Sequence, residues 1–451
     1  MRDLALIGFL AALLALGLRR PFLFALAYIY IDTVSPQRLS YYLLNSVPLS
    51  MIVAALAMGS WLIFDRKDGF RFTVRQGLIL LLLGYAFFTT ANADFPVDAR
   101  EKWDWASKAL AFAIFLPFTL RTRLRIEAVI LFLVLSASSI IIVGGIKTVV
   151  SGGGYGLLNL MVDNNSGLYE SSTISMVAIA IIPLILWLAR FGTVFPPDWR
   201  VKLFAGALIF ACLLMPIGTE ARTGLVCVAV LGVLMLRDVK RRFLYLGGAA
   251  LLTMAAIPFL PASFTGRMST IQTYQEDQSA GVRLAVWTWT WNYARENPLG
   301  GGFGAYRQNR IDVRTVDSRE AGEVRIVTAR NEIQQGRAYH SSYFEMLGEQ
   351  GFPGTILFLL IHGIGLARME IIRRRYRRET GETEWIAPLA TALQHFQIIY
   401  LVGSLFVGIA YQPFAWLILA VQIGFDSWVV RQERDKRRAS APFVPVPAVQ
   451  A

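Results

Sequence analysis

The sequence predicts an all-α polytopic membrane protein with about 12 (12–13) transmembrane helices and one large loop on the far side from the cytoplasm. Three observations predict it. First, 55% of the 451 residues are hydrophobic and only 17% are charged, where a soluble chain is about a quarter charged. Second, the apolar residues come in long runs, giving a mean hydropathy of +0.49, which is a membrane signature rather than one large soluble core. Third, Lys and Arg cluster at every second connection between the runs, as the preference for positive charge on the cytoplasmic side requires.

A spanning helix needs roughly 20 mostly apolar residues. Candidate runs lie at about 4–18, 21–34, 43–64, 75–92, 105–120, 126–148, 171–189, 203–218, 223–236, 243–261, 352–370, 386–408 and 412–429. The first two are short and can form a tight pair or a re-entrant element, hence the count of 12 or 13. The basic connections are Arg19-Arg20, Arg66-Lys67, Arg121 to Arg125, Arg200 with Lys202, Arg237 to Arg242, and Arg373 to Arg378. These are expected on the cytoplasmic side. The chain thus divides into N-terminal transmembrane helices (1–261), a large periplasmic loop (262–351), C-terminal transmembrane helices (352–430) and a basic cytoplasmic tail (431–451), expected to be disordered. No cleavable leader is expected, because the first run ends in Arg19-Arg20-Pro21 without a small-residue cleavage site.

The net charge of +13 would suggest nucleic acid in a soluble protein. Here the basic inner loops explain much of it. Cys212 and Cys227 both lie in apolar runs, which argues against a disulfide or a thiolate metal site. No His/Cys cluster has zinc-ligand spacing. Gly152-Gly153-Gly154 lacks the Lys-Ser/Thr of a nucleotide-binding loop.

The outer loop holds ten arginines between Pro261 and His340 and no lysine. Arg presents a planar fork that fits phosphate, and Lys does not. Most of these arginines read equally as a solvated mixed-charge surface, leaving one or two to hold a phosphate group. Arg222 stands in the hinge Gly218-Thr219-Glu220-Ala221-Arg222-Thr223-Gly224 at the outer face. It is either an anchor neutralised by Glu220 or a ligand contact. His362 and His395 sit inside apolar runs and read as packing residues. His340 lies where the loop returns to the membrane. A histidine there can accept a hydroxyl proton or stabilise a phosphate. The Trp287, Trp289 and Trp291 rings are expected at headgroup level.

His340, Ser341, Gly351 and Gly354 fit the pattern H-[NSQ]-x9-G-x-x-G. In this the chain resembles the O-antigen ligase and polymerase superfamily, membrane enzymes acting on undecaprenyl-linked glycans. Arg222 resembles the family's R-x3-L arginine, although Val226 replaces the leucine and Leu225 stands one place earlier. Gly281-Val282-Arg283-Leu284, with Trp287 and Asn297 to Gly304, resembles the segment that carries a second essential arginine. Asp163-Asn164-Asn165 also looks familial, and the N-terminal part resembles exosortase-associated O-glycosylation ligases. The resemblance covers about 150–430 and implies a fold like the GT-C membrane glycosyltransferases. It implies a glycan donor on undecaprenyl pyrophosphate, inversion, and no metal or other cofactor. The acceptor is lipid A–core oligosaccharide, a growing glycan or a protein. Arg222, Arg283 and His340 are then the catalytic candidates, and Ser341, Tyr343, Arg337, Asn164 and Glu220 candidate contacts to pyrophosphate or glycan. The competing class is a lipid-linked glycan transporter. That class needs ionisable groups along a path through the spans, and the runs hold few.

Overall fold

The computed structural model describes residues 2–40, 42–44, 47–67, 71–151, 167–237, 242, 244, 247–248, 278–321 and 324–439. Asp163 to Asn165, and most of the candidate run at 243–261, lie outside the described residues. The described chain forms fourteen helices and one hairpin. The N-terminal helices are α1 (Arg2–Arg19), α2 (Phe22–Val34), α3 (Pro36–Leu39), α4 (Leu49–Phe64), α5 (Val74–Ala91), α6 (Pro96–Thr119) and α7 (Arg123–Ser151). They are followed by α8 (Ser171–Phe191), α9 (Trp199–Gly218), α10 (Arg222–Met235) and α11 (Gln278–Glu296). The antiparallel strands β1 (Arg310–Ala321) and β2 (Val324–Gln335) pair Arg310 with Gln335 and Ala321 with Val324. The chain closes with α12 (Ser342–Tyr376), α13 (Ile386–Gly403) and α14 (Pro413–Ala439).

Seven helices, α5, α7, α8, α9, α12, α13 and α14, are long and apolar enough to cross a membrane, and α2, α4 and α10 are shorter apolar helices. The protein is therefore an all-α polytopic membrane protein. Helix ends follow local chemistry. The Thr73 hydroxyl accepts from the Gln76 amide and the Gln76 side chain accepts from the Thr73 amide, a reciprocal cap that starts α5. The Glu170 carboxylate accepts from the Thr173 amide at 2.6 Å and starts α8. α8 is the most enclosed of the seven spans and α9 the least. Around α8 pack α9, α10 and α13. Exposed apolar side chains such as Leu80, Leu81 and Phe87 on α5 and Leu203, Phe204 and Phe210 on α9 face outward, as a lipid solvent allows. Between such helices close packing and interhelical hydrogen bonds, not exclusion of water, hold the bundle.

The helix ends sort into two sets. At one end Arg125 pairs with Asp65 (2.6 Å), Arg368 with Asp426 (2.6 Å), Arg237 with Glu370 (2.9 Å) and Arg375 with Glu433 (2.8 Å). At the other end Arg307 pairs with Asp98 (2.8 Å) and Lys102 with Glu345 (2.5 Å).

Three features differ from the sequence reading. The long connection between α11 and α12 contains a hairpin where no strand was expected. The basic tail is helical as far as Ala439, because Glu433 on α14 is held by Arg375 and by the Tyr376 hydroxyl of α12 (3.0 Å). The spans also carry a buried polar chain. Arg75 donates to Gln422 (3.2 Å), Gln422 to Gln397 (3.0 Å), and Gln397 to the carbonyl of His362 (2.9 Å). His362 and His395 are both buried, in keeping with their reading as packing residues.

Candidate active site

The end of the bundle that carries His340 is organised by a break in α12. Residues Ser342 to Gln350 form a short helical segment, and Gly351 leaves helical geometry at φ 60°, ψ −163°. The break frees backbone groups that must be paired inside a membrane protein. The Gly-rich loop after α11 pairs them: Gly301 N–H donates to Gly348 C=O (3.1 Å), Gly302 N–H to Glu349 C=O (2.9 Å), and Phe352 N–H to Pro298 C=O (3.0 Å). A Cβ on Gly351 would collide with the Pro298 carbonyl oxygen. The two glycine-bearing motifs therefore fold against each other. Gly351→Ala is expected to lose several degrees of melting temperature in detergent, since a backbone at φ 60°, ψ −163° is open almost only to glycine and costs another residue about 1–3 kcal/mol. Gly363→Ala, with nothing within 4 Å of a new Cβ, is the neutral control. Equal melting curves for the two variants would mean that the loop does not clamp the break.

His340 sits just before this segment, in a turn with φ 48°. A non-glycine residue there is uncommon, and such strain concentrates at functional sites. The turn is fixed from both sides. Ser342 N–H donates to Ser404 C=O (2.9 Å), the Ser342 hydroxyl to Val407 C=O (2.9 Å), and Ile409 N–H to the Ser342 hydroxyl (3.0 Å). From α11 the Trp287 indole N–H donates to Tyr339 C=O (2.8 Å), and its ring stacks on Phe344 with centroids 5.0 Å apart. Trp287 thus buttresses the histidine turn. Trp289 stacks on Tyr293 at 4.9 Å.

Arg283 is one turn before Trp287 on α11, so both face the histidine. The His340 side chain remains exposed. Partial desolvation holds its pKa below the usual 6.5, and the Arg283 guanidinium pushes it the same way. Glu170 opposes this, and Arg337 adds to the lowering. Arg283, Arg337 and Glu170 are thus the charges that act on His340. Arg222 begins α10, and Gly224 on its first turn presses against Ser175 of α8. Glu170 caps that same end of α8. Arg222 thus stands at the same end of the bundle, beside Glu220 with φ 51°.

Arg337 is exposed and its Nε donates to Gln334 (2.8 Å), while Asn309 holds its backbone. Ser341 is buried, and the Tyr343 hydroxyl donates to Leu401 C=O at 3.0 Å. Asn164 lies outside the described residues. Two features were missed by the sequence reading. One is Glu170, whose spacing to Thr173 was a capping signal. The other is a buried ion group beneath the turn: Lys102 of α6 meets Glu345 (2.5 Å) and Glu349 (2.7 Å) and lies over the Phe303 and Tyr411 rings. Glu345 also accepts from Ala410 N–H (2.9 Å). Two carboxylates four residues apart in a membrane segment signal that a cation must come from elsewhere. Among the described residues no three His, Cys, Asp or Glu side chains form a metal site.

A multi-pass helical membrane protein with an arginine- and histidine-bearing loop clamped to one end is the class that this fold and site define. Residues 1–193 match a family of unknown function (DUF5935), and residues 207–359 match the O-antigen ligase family. The second match supports the resemblance to the O-antigen ligase superfamily, and it spans Arg222, Arg283, His340, Gly351 and Gly354. No curated protein matches the chain.

Proposed function

We propose that the protein is an O-antigen ligase-type glycosyltransferase of the bacterial inner membrane. It moves a glycan from undecaprenyl pyrophosphate to lipid A–core oligosaccharide on the periplasmic face. The observation that carries this reading is that α11, which bears Arg283, braces the His340 turn through the Trp287 bond to Tyr339 C=O (2.8 Å) and the Trp287 stack on Phe344. The acceptor hydroxyl attacks the anomeric carbon with inversion, and the bond from that carbon to the diphosphate oxygen breaks. The hydroxyl proton goes to His340. A neutral imidazole is what a base requires, and desolvation with the Arg283 charge favours that form. This supports the base over the phosphate-ligand role. Arg222 and Arg283 bind the departing pyrophosphate, with Arg337, Glu220, Ser341, Tyr343 and Asn164 as further contacts to donor or glycan. The donor stores the energy, so no nucleotide or other cofactor is needed.

The same donor and site also suit an O-antigen or exopolysaccharide polymerase or a protein O-oligosaccharyltransferase. The test is purified protein with undecaprenyl-linked glycan and each acceptor in turn: lipid A–core, a second lipid-linked repeat, and a Ser/Thr protein. Product on lipid A–core alone supports ligation. Product on another acceptor reassigns it, and movement of donor across vesicles without product supports a transporter. Transfer is also expected to survive EDTA. Loss restored by Mg²⁺ or Mn²⁺ would overturn the metal-independent mechanism and direct attention to Asp163.

A further inference from the structure

At the end of the bundle opposite His340, a cavity of about 290 Å³ opens between α4, α5, α6 and α14. Six cations line it: Arg66, Lys67, Arg71, Arg121, Arg431 and Arg434. They arrive from three separate places, the α4–α5 connection, the α6–α7 connection and the end of α14. The general excess of positive charge on this side explains basic residues but not their convergence. Elsewhere at this end Arg125, Arg237, Arg368 and Arg375 meet carboxylates in close ion pairs.

Around the cavity the described lining has one carboxylate, Asp426, and Arg368 already holds both its oxygens at 2.9 and 2.6 Å. Arg431 donates to Leu120 C=O (3.2 Å), and Arg434 lies 3.7 Å from Asp435. Arg66 and Arg71 are exposed and make no side-chain bond among the described residues. The N-terminus of α5 contributes Thr73, Val74 and Gln76 to the lining and adds its partial positive charge. Like charges gathered around one space repel, and a bound anion relieves that repulsion. Phosphate suits them, because arginine forks pair with its oxygens.

The rim distinguishes a lipid from a soluble anion. Trp61, Phe72, Phe118 and Val430 form an apolar wall, with Phe72 50% and Val430 36% exposed. A soluble anion gains nothing from that wall, whereas acyl chains leaving the headgroup would run along it. We propose that this cavity binds the phosphodiester headgroup of an anionic membrane phospholipid. A zwitterionic headgroup would set its ammonium against the arginines, which favours a phosphatidylglycerol-type lipid.

The test is native mass spectrometry of delipidated full-length protein in detergent. Separate titrations use phosphatidylglycerol, phosphatidylethanolamine and inorganic phosphate. One phosphatidylglycerol is expected to bind at least roughly tenfold more tightly than phosphatidylethanolamine, and millimolar phosphate is expected not to displace it. Arg66→Gln and Arg71→Gln should each weaken it about fivefold, and the double variant about twentyfold. All three should keep the lipid-free melting temperature, since neither side chain holds the fold. Equal affinity for the two lipids, or unchanged affinity in the variants, overturns the site. Full displacement by inorganic phosphate overturns the lipid and leaves a soluble-anion pocket.

Discussion

Replacing His340 by Asn is expected to bring transfer below a tenth of the wild-type rate while the melting temperature stays within a few degrees. General-base assistance is worth about 10²–10⁴ in rate, or roughly 3–5 kcal/mol of barrier at about 1.36 kcal/mol per tenfold. The side chain is exposed, so its removal opens no cavity. Asn is the informative substitution because it tolerates the left-handed backbone at φ 48°. Ala at the same position should lose transfer equally, with some added strain. His362→Ala and His395→Ala should do the reverse, because both rings are buried. They should lose stability and retain turnover per folded molecule. If His340→Asn turns over at more than about a tenth of wild type, assistance on the general-base scale is excluded, and the site assignment falls with it.

Much of this end of the protein was legible in the sequence for a specific reason. The nine residues between Ser341 and Gly351 are the short buried segment of α12, and Gly351 marks the break that ends it. A glycine with left-handed φ against a facing carbonyl is a local demand, so it leaves a fixed spacing. The alternating basic connections likewise report a one-dimensional rule of insertion. The hairpin was less legible. Ile311, Val313 and Thr315 alternate in β1, but the charged residues between them read as a solvated loop. Least legible was the Lys102 group. Its partners lie 243 and 247 residues away, and no local pattern in α6 points to them. Glu170 was hidden for the same reason: its cap is local, but its charge acts on His340, 170 residues along the chain.

The arginines are expected to separate charge from geometry. Arg→Lys keeps a cation but loses the planar fork that grips two phosphate oxygens. Removing one preorganised donor to developing negative charge costs about 10²–10³ in rate, so Arg222→Lys and Arg283→Lys should each lose that much with normal insertion and folding. The pH profile then tells the two positions apart. The base must be neutral, so kcat/KM is present above the His340 pKa and lost as pH falls through it. Desolvation and the Arg283 charge hold that pKa below 6.5, which extends activity to lower pH. Arg283→Gln removes the charge and should move the acid limb upward, toward the ordinary histidine value. Arg283→Lys keeps the charge, so its limb should stay in place while the rate falls. Arg222 is not among the charges that set the His340 pKa, so Arg222→Gln should lower the rate without moving the limb. Near-wild-type turnover in Arg283→Lys would reduce that arginine to a point charge. An acid limb that ignores Arg283→Gln would separate Arg283 from His340 and leave the pyrophosphate without its second fork.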